Sequence, residues 1–191
     1  MISNITINRK HYFITLLNSI MKILVTGGLG FIGSNFIINT LEKFPKNEII
    51  NLDDKLYGSN HLNLKNIRKS KNYRFVKGNI CNEKIVKKLV KKIDVVVNFA
   101  AESHVDRSIS NAKPFIDSNI VGVFNILEQI KKEKKKLIHI STDEVFGSLK
   151  QDSANEEYKL NPSSPYASSK ASAELLVKSY VTTFDCNCII T

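Results

Sequence analysis

Cysteine is scarce in this 191-residue chain, and the three present, Cys81, Cys186 and Cys188, form no CxxC pair. An odd, unpaired set argues against a disulfide framework and against a structural zinc site, so no metal is expected and a reducing cytoplasm fits. Cys186 and Cys188 are expected as buried thiols on one face of a terminal strand. No apolar run reaches the roughly 18 residues of a membrane span, which removes the membrane as a partner. Arginine is equally rare, at positions 9, 68, 74 and 107 only, so the formal net charge of +10 rests on lysine. Nucleic-acid surfaces use arginine forks as well as point charges, whereas lysine runs such as that from Lys131 to Lys136 read as solvated faces. Nucleic acid is therefore not expected as a partner. Internal repeats and low-complexity linkers are absent too, and 42% hydrophobic residues suffice for one ordinary core.

What is present from Met21 onward is an alternation of short β-branched runs with longer amphipathic stretches, the pattern of βαβ units and a parallel sheet. Strands are expected over Lys22–Thr26, Glu48–Leu52, Tyr73–Lys77, Val95–Phe99, Leu137–Ser141 and Cys188–Ile190. Helices are expected over Phe31–Phe44, Glu83–Lys91, Phe115–Lys131 and, introduced by Pro165, Tyr166–Phe184. This predicts an α/β fold with a doubly wound parallel sheet over residues 21–191. Residues 1–20 break the pattern. Arg9-Lys10-His11 followed by the apolar Tyr12–Leu17 faintly resembles a signal peptide without a small-residue cleavage site. A start codon assigned too early is the expected account, with residues 1–20 an N-terminal extension outside the fold. At the other end the chain stops in mid-strand at Ile189-Ile190-Thr191, which points to truncation.

Between the first strand and the first helix lies Thr26-Gly27-Gly28-Leu29-Gly30-Phe31-Ile32-Gly33, with glycines spaced GxxGxxG. In that context glycine permits a tight turn and close approach of a pyrophosphate to backbone amides, and the helix N-terminus favours the anion. Asp53 follows about 20 residues later at the end of the second strand, where a carboxylate accepts adenosine ribose hydroxyls and repels a 2′-phosphate. NAD is the expected cofactor of this Rossmann-type domain. The competing reading is that Asp53 or Asp54 caps a loop.

YxxxK occurs twice. Tyr73 and Lys77 fall in a strand, where four residues span roughly 13 Å. Tyr166 and Lys170 fall on a helix, where i and i+4 share a face about 6 Å apart. Only the second pair can cooperate, and a nearby ammonium with a nicotinamide cation would lower the phenol's pKa. Just upstream, Asp143 and Glu144 adjoin Thr142 at the end of the fifth strand. Elimination of water needs one protonated and one ionised group, and two carboxyls in a partly dry site tend to split their pKa values.

Three strings, Ala100-Ala101-Glu102-Ser103-His104-Val105-Asp106-Arg107-Ser108, Ser141-Thr142-Asp143-Glu144-Val145-Phe146-Gly147 and Pro165-Tyr166-Ala167-Ser168-Ser169-Lys170, carry a family resemblance. From Met21 to Thr191 the chain resembles the extended short-chain dehydrogenases/reductases, and within them looks like the dTDP-glucose 4,6-dehydratases of rhamnose biosynthesis. The resemblance implies a lyase acting on dTDP-glucose. Tyr166 would take the sugar O4 proton during C4 oxidation, with Thr142 holding the hydroxyl and Lys170 the nicotinamide ribose. Glu144 would remove the C5 proton, Asp143 would protonate the departing C6 hydroxyl, and hydride would return to C6. Gly27, Gly30, Phe31, Ile32, Gly33, Asp53, Asn79, Ile80, Phe99, Ala100, Ala101, Ser103 and Ser118 match cofactor positions, and Ser103 and Thr142 substrate positions. His104 and Arg107 are read as stabilising their loop through hydrogen bonds. One departure is Asn79, where the family usually has Asp beside the adenine; an amide oxygen can still accept from the adenine amine. Family members are much longer, and their C-terminal part covers the nucleotide sugar. The 191-residue chain alone is therefore expected to be inactive, and the intact protein a homodimer through the helices at 115–131 and 166–184. Two alternatives stand beside this reading: a nucleotide-sugar 4-epimerase, and a fragment that binds NAD without turnover.

Overall fold

The computed structural model describes residues 20–149 and 153–191. The expectation that residues 1–20 stand outside the fold lies, except for Ile20, outside the described residues. Six strands, β1 (Lys22–Thr26), β2 (Glu48–Asp53), β3 (Tyr73–Lys77), β4 (Val95–Asn98), β5 (Lys136–His139) and β6 (Cys188–Ile190), form one sheet in the order β3-β2-β1-β4-β5-β6. Every neighbouring pair is parallel. The chain therefore reverses its winding direction at β1, and the crevice outside the carboxyl ends of β1 and β4 is where ligands of such sheets bind.

The helices are α1 (Phe31–Lys43), α2 (Glu83–Val90), α3 (Val105–Ser110), α4 (Lys113–Ile116), α5 (Val123–Glu133) and α6 (Pro165–Phe184). Successive residues of a strand face opposite sides, so Leu24, Val96 and Leu137 enter one core with Val86 and Leu89 of α2, Ile126 and Ile130 of α5 and Val177 of α6. Ile23, Val25, Ile49 and Val97 enter the other core with Ile37 and Leu41 of α1. Both faces of the sheet are covered, which is why β1 and β4 read as unbroken apolar runs rather than alternating ones.

The architecture agrees with the sequence reading, with local differences. The helix expected over Phe115–Lys131 begins at Lys113 and ends at Glu133, and between α4 and α5 it widens into a π-helical turn, Asp117–Gly122. One wide turn leaves the apolar period almost unchanged, so periodicity does not reveal it. Helix α3 and two short 3-10 turns, His61–Leu64 and Asp143–Phe146, were likewise not expected, because one or two turns are too short for a period. β4 ends at Asn98 and β5 at His139, earlier than expected, while β2 runs on through Asp53. Cys186 precedes β6 and is buried, whereas Cys188 is half-buried. The expectation of two buried thiols on one strand face is thus corrected: the chain leaves α6 through left-handed Asp185 (φ 53°), and only Cys188 belongs to the strand.

Candidate active site

The floor of the site is the turn from β1 into α1. Gly27 has φ +70°, and a Cβ there would stand 2.6 Å from the Ala100 amide nitrogen at the end of β4. A Cβ on Gly33 would approach the Gly27 carbonyl oxygen to 2.5 Å, while one on Gly30 would meet only that oxygen at 3.3 Å. Gly27 and Gly33 are therefore demanded by packing, and Gly30 leaves backbone open to the groove. Neither a capping side chain nor an acidic residue occupies the first turn of α1, so its amide donors remain available to an anion.

A groove of about 430 Å³ rises from this floor. It is lined by Gly27 and Gly30 of the turn, Phe31, Ile32 and Gly33 of α1, Asp53 at the end of β2, Asn79 and Ile80 after β3, and Phe99, Ala100, Ala101 and Ser103 after β4. Ser118 of the π-helical turn and Tyr166 and Lys170 of α6 complete it. All the residues expected to contact a cofactor thus share one surface.

Asp53 is more engaged than the sequence implies. Its carboxylate accepts from the amides of Leu29 (2.9 Å) and Lys55 (2.8 Å) and from the Ser59 hydroxyl (2.7 Å). The loop-capping reading is therefore realised, in a residue that also lines the groove. Asn79 accepts from the Cys81 amide (2.8 Å) and donates to Asp54 (3.0 Å). The oxygen expected to meet an adenine amine is thus already turned toward its own backbone.

Helix α6 starts where Ser164 accepts from the Ala167 amide and Pro165 occupies the first turn. Tyr166 and Lys170, one turn apart, are both buried. Lys170 donates to the Ile140 carbonyl at 2.5 Å; burial pulls its ammonium down to about 8, opposed by the Glu174 carboxylate. Burial pushes the Tyr166 phenol above its ordinary value, a hydrogen bond with Thr142 lowers it, and the Glu144 and Asp143 charges raise it. The expected lowering of Tyr166 is corrected for these protein groups: desolvation of the phenolate outweighs its one favourable partner. The other YxxxK match is structural. Tyr73 lies in β3, its hydroxyl accepting from buried Asn51 at 2.9 Å.

Thr142 donates to Asp143 and accepts from the Glu144 amide, both at 3.3 Å, which starts the 3-10 turn. Gly147 ends that turn at φ +66°, where a Cβ would lie 2.1 Å from the Asn161 carbonyl oxygen. The backbone of this turn is therefore fixed, but Asp143 and Glu144 are exposed. The partly dry setting expected for the pair is not made by the described residues, since nothing among them packs over the two carboxylates.

Several groups that shape the site were assigned no role by a motif. Buried Asn119 accepts from the Glu102 amide and donates to its carbonyl, both at 2.9 Å, and also donates to Ser169 at 2.8 Å. It ties the loop after β4 to α6. Ser108 accepts from the Tyr166 amide at 3.1 Å. Beneath the groove Thr26 donates to Asn98 (2.5 Å), whose amide donates to Nδ1 of His139 (3.1 Å). Among the described residues Nε2 of His139 has no partner, and burial, with the Lys170 charge, pulls the ring down to about 3. Thr26 and Ser108 stand in the strings that mark the site, whereas for Asn98, Asn119 and His139 the only sequence signal was a polar side chain among apolar neighbours. Arg107 does brace its loop, by an ion pair with Glu102 at 3.4 Å, but His104 takes part through a ring contact with Tyr57 rather than a hydrogen bond. Among the described residues no group of three His, Cys, Asp or Glu side chains is placed to hold a metal, and no helix is long and apolar enough to cross a membrane.

The GDP-mannose 4,6 dehydratase family model matches residues 24–191. A dTDP-glucose 4,6-dehydratase of Mycobacterium tuberculosis is 41% identical over 167 residues, covering 86% of this chain and 50% of that protein. The structure of DesIV, a dTDP-glucose 4,6-dehydratase from Streptomyces venezuelae with NAD and TYD bound, superposes with a TM-score of 0.86 at 39% identity. That match covers 89% of this chain and 54% of DesIV. A UDP-glucose 4-epimerase from Thermotoga maritima, with UDP-glucose, superposes with a TM-score of 0.80 at 27% identity, covering 89% of this chain and 54% of the epimerase. The chain spans about half the length of the curated relatives it matches. Over that half, the glycine turn, the carboxylate turn and the match of the family model agree, and the chain belongs to the GDP-mannose 4,6 dehydratase family.

Proposed function

We propose that the full-length protein is an NAD-dependent dTDP-glucose 4,6-dehydratase, a hydro-lyase that releases water and leaves the 4-keto-6-deoxy sugar. The observation that carries this reading is the packing of α6, which bears Tyr166, against the turn that Thr142 starts and Asp143 and Glu144 open. That packing puts a phenol suited to alcohol oxidation beside two carboxyls suited to elimination. The groove fits a dinucleotide: the glycine backbone, the uncapped amides of α1 and the Asp53 carboxylate are the donor and acceptor set that pyrophosphate and ribose require. Bound there, NAD would supply the hydride acceptor at C4, the hydride donor at C6 and a positive charge favouring the Tyr166 phenolate.

Tyr166 takes the O4 proton, and Thr142 holds that hydroxyl. Lys170 orients the nicotinamide ribose. The ketone formed at C4 acidifies the C5 proton, which Glu144 removes, while Asp143 protonates the C6 hydroxyl as it leaves. With hydride returned to C6, Glu144 would give its proton back to C5 and the O4 proton held by Tyr166 would restore Asp143, so water is the only other product and no reduced cofactor accumulates. Incubating the full-length protein with dTDP-glucose tests the reading: the expected result is the 4-keto-6-deoxy product without net NADH. A C4 epimer retaining its C6 oxygen would favour the epimerase reading instead, which the likeness to a 4-epimerase structure supports and the acidic pair argues against.

The same reading includes a homodimer. Ile116, Val121 and Phe124, on α4, the π-helical turn and α5, and Leu175 on α6 are each at least 40% exposed. Apolar helix surfaces of this kind suit a two-fold helix-on-helix contact. Sedimentation at micromolar concentration is expected to give a dimer, and a monomer would count against it.

A further inference from the structure

We propose that Arg107 and Tyr57 form a clasp across the groove that slows release of the reduced cofactor between the two hydride steps. The inference rests on the reading of the groove as an NAD site. Strands β2 and β4 flank β1, so the loops leaving their carboxyl ends stand on opposite sides of the glycine turn. Tyr57 belongs to the loop after β2, Glu102 to the loop after β4, and both line the groove. Arg107 reaches both. Its guanidinium lies 4.3 Å from the centre of the Tyr57 ring and 3.4 Å from the Glu102 carboxylate. The His104 ring meets the same tyrosine edge-on, with centroids 6.3 Å apart.

Tyr57 is 71% exposed, so burial of its ring does not explain its position. The loop is instead shaped from its base. Lys55 and Gly58 both have positive φ (59° and 84°), and Asp53 holds the intervening turn through Lys55 and Ser59. The ring is thus presented to a cation that its own strand does not supply. A cation over an aromatic face, held in place by a carboxylate, is a weak and reversible bridge. Such strength suits a strap that must open for exchange. An enzyme that oxidises and then reduces the same sugar fails if NADH leaves in between, whereas one that releases NADH each turnover gains nothing from such a strap. Arg107 and Tyr57 are accordingly positioning residues that act on the lifetime of the bound nucleotide.

The test is the rate at which bound NADH leaves the full-length protein, followed by its fluorescence during a chase with excess NAD and without sugar. Arg107→Ala and Tyr57→Ala are each expected to release NADH about tenfold faster, the equivalent of about 1.4 kcal/mol. Tyr57→Phe, which keeps the ring, should stay within about twofold of the unaltered protein, and the double alanine variant should be no faster than either single one. Because Tyr57 is a loop-tip residue, its variants report on the contact without disturbing either core. Unchanged release in both alanine variants, or single effects that multiply in the double variant, would overturn the clasp. If the unaltered protein binds no NADH, the NAD reading of the groove falls and the clasp with it; binding with unchanged release removes the clasp alone.

Discussion

The glycine-turn groove and the carboxylate turn stand at the carboxyl end of the same sheet but are built differently. In the groove, functional atoms are backbone amides and buried side chains, and neighbouring backbone dictates the residues: Gly27 has no room for a Cβ beside Ala100. In the carboxylate turn, Gly147 and Asn161 fix the main chain just as tightly, yet Asp143 and Glu144 reach into solvent. Placing a group and setting its environment are separate tasks. Backbone geometry achieves the first with local residues, whereas drying a carboxyl requires something packed above it.

The largest expected effects separate the two regions by the step they serve. Tyr166→Phe should lower C4 oxidation by about 10²–10⁴-fold, read as enzyme-bound NADH in a single turnover. Asp143→Asn and Glu144→Gln should lower product formation over the same range while bound NADH still forms. Carboxamide variants that lose oxidation as completely as Tyr166→Phe would show that the turn and the groove act as one unit.

Next in size is Gly27→Ala. A side chain at φ +70° and 2.6 Å from backbone carries strain and overpacking of about 1–3 kcal/mol each. Calorimetry is expected to show loss of NAD affinity together with a lower unfolding midpoint. Normal affinity would mean that the groove tolerates rearrangement and is no more rigid than the carboxylate turn.

A smaller effect tests the polar layer under the groove. His139 sits near pKa 3 in the fold against about 6.5 when unfolded. Between those values the unfolded chain binds a proton that the fold does not, so stability should fall as pH drops from about 6.5 toward 3, by at most about 1.4 kcal/mol per pH unit. Urea denaturation at pH 7 and pH 5 checks this, and His139→Gln should flatten the dependence. An unchanged slope would place the acid sensitivity elsewhere.

The smallest expected effect belongs to the other YxxxK match. Tyr73→Phe removes the acceptor for buried Asn51 and should cost about 1 kcal/mol in denaturant unfolding. Lys77→Ala, at an exposed position, should leave turnover unchanged. A large loss of turnover in the lysine variant would refute the distinction between the strand pair and the helix pair.

That distinction was legible before any coordinates, because four residues of strand and four of helix separate side chains by different distances. The glycine spacing, Asp53, the carboxylate pair and Tyr166–Lys170 were legible for the same reason: each lies within a few residues of a recognisable element boundary. Helix α3 and the π-helical turn were not, since one or two turns have no period. The exposure of Asp143 and Glu144 among the described residues and the upward push of burial on the Tyr166 phenol were not legible, because desolvation depends on what surrounds a group rather than on its sequence neighbours.

Periodicity and spacing therefore determined the alternating α/β order, the glycine turn with Asp53 and the helical Tyr166–Lys170 pair, and the family resemblance of three strings implied the remaining groups available for chemistry. Tertiary structure decided how those groups are held. Asn119 meets Ser169 across 50 residues, Thr26 meets Asn98 across 72, and Asn98 meets His139 across 41. The last two exist because β1, β4 and β5 are neighbours in the sheet, and the first because the π-helical turn packs against α6. Strand order arises from the global packing of two hydrophobic faces, and no local pattern in the sequence encodes it.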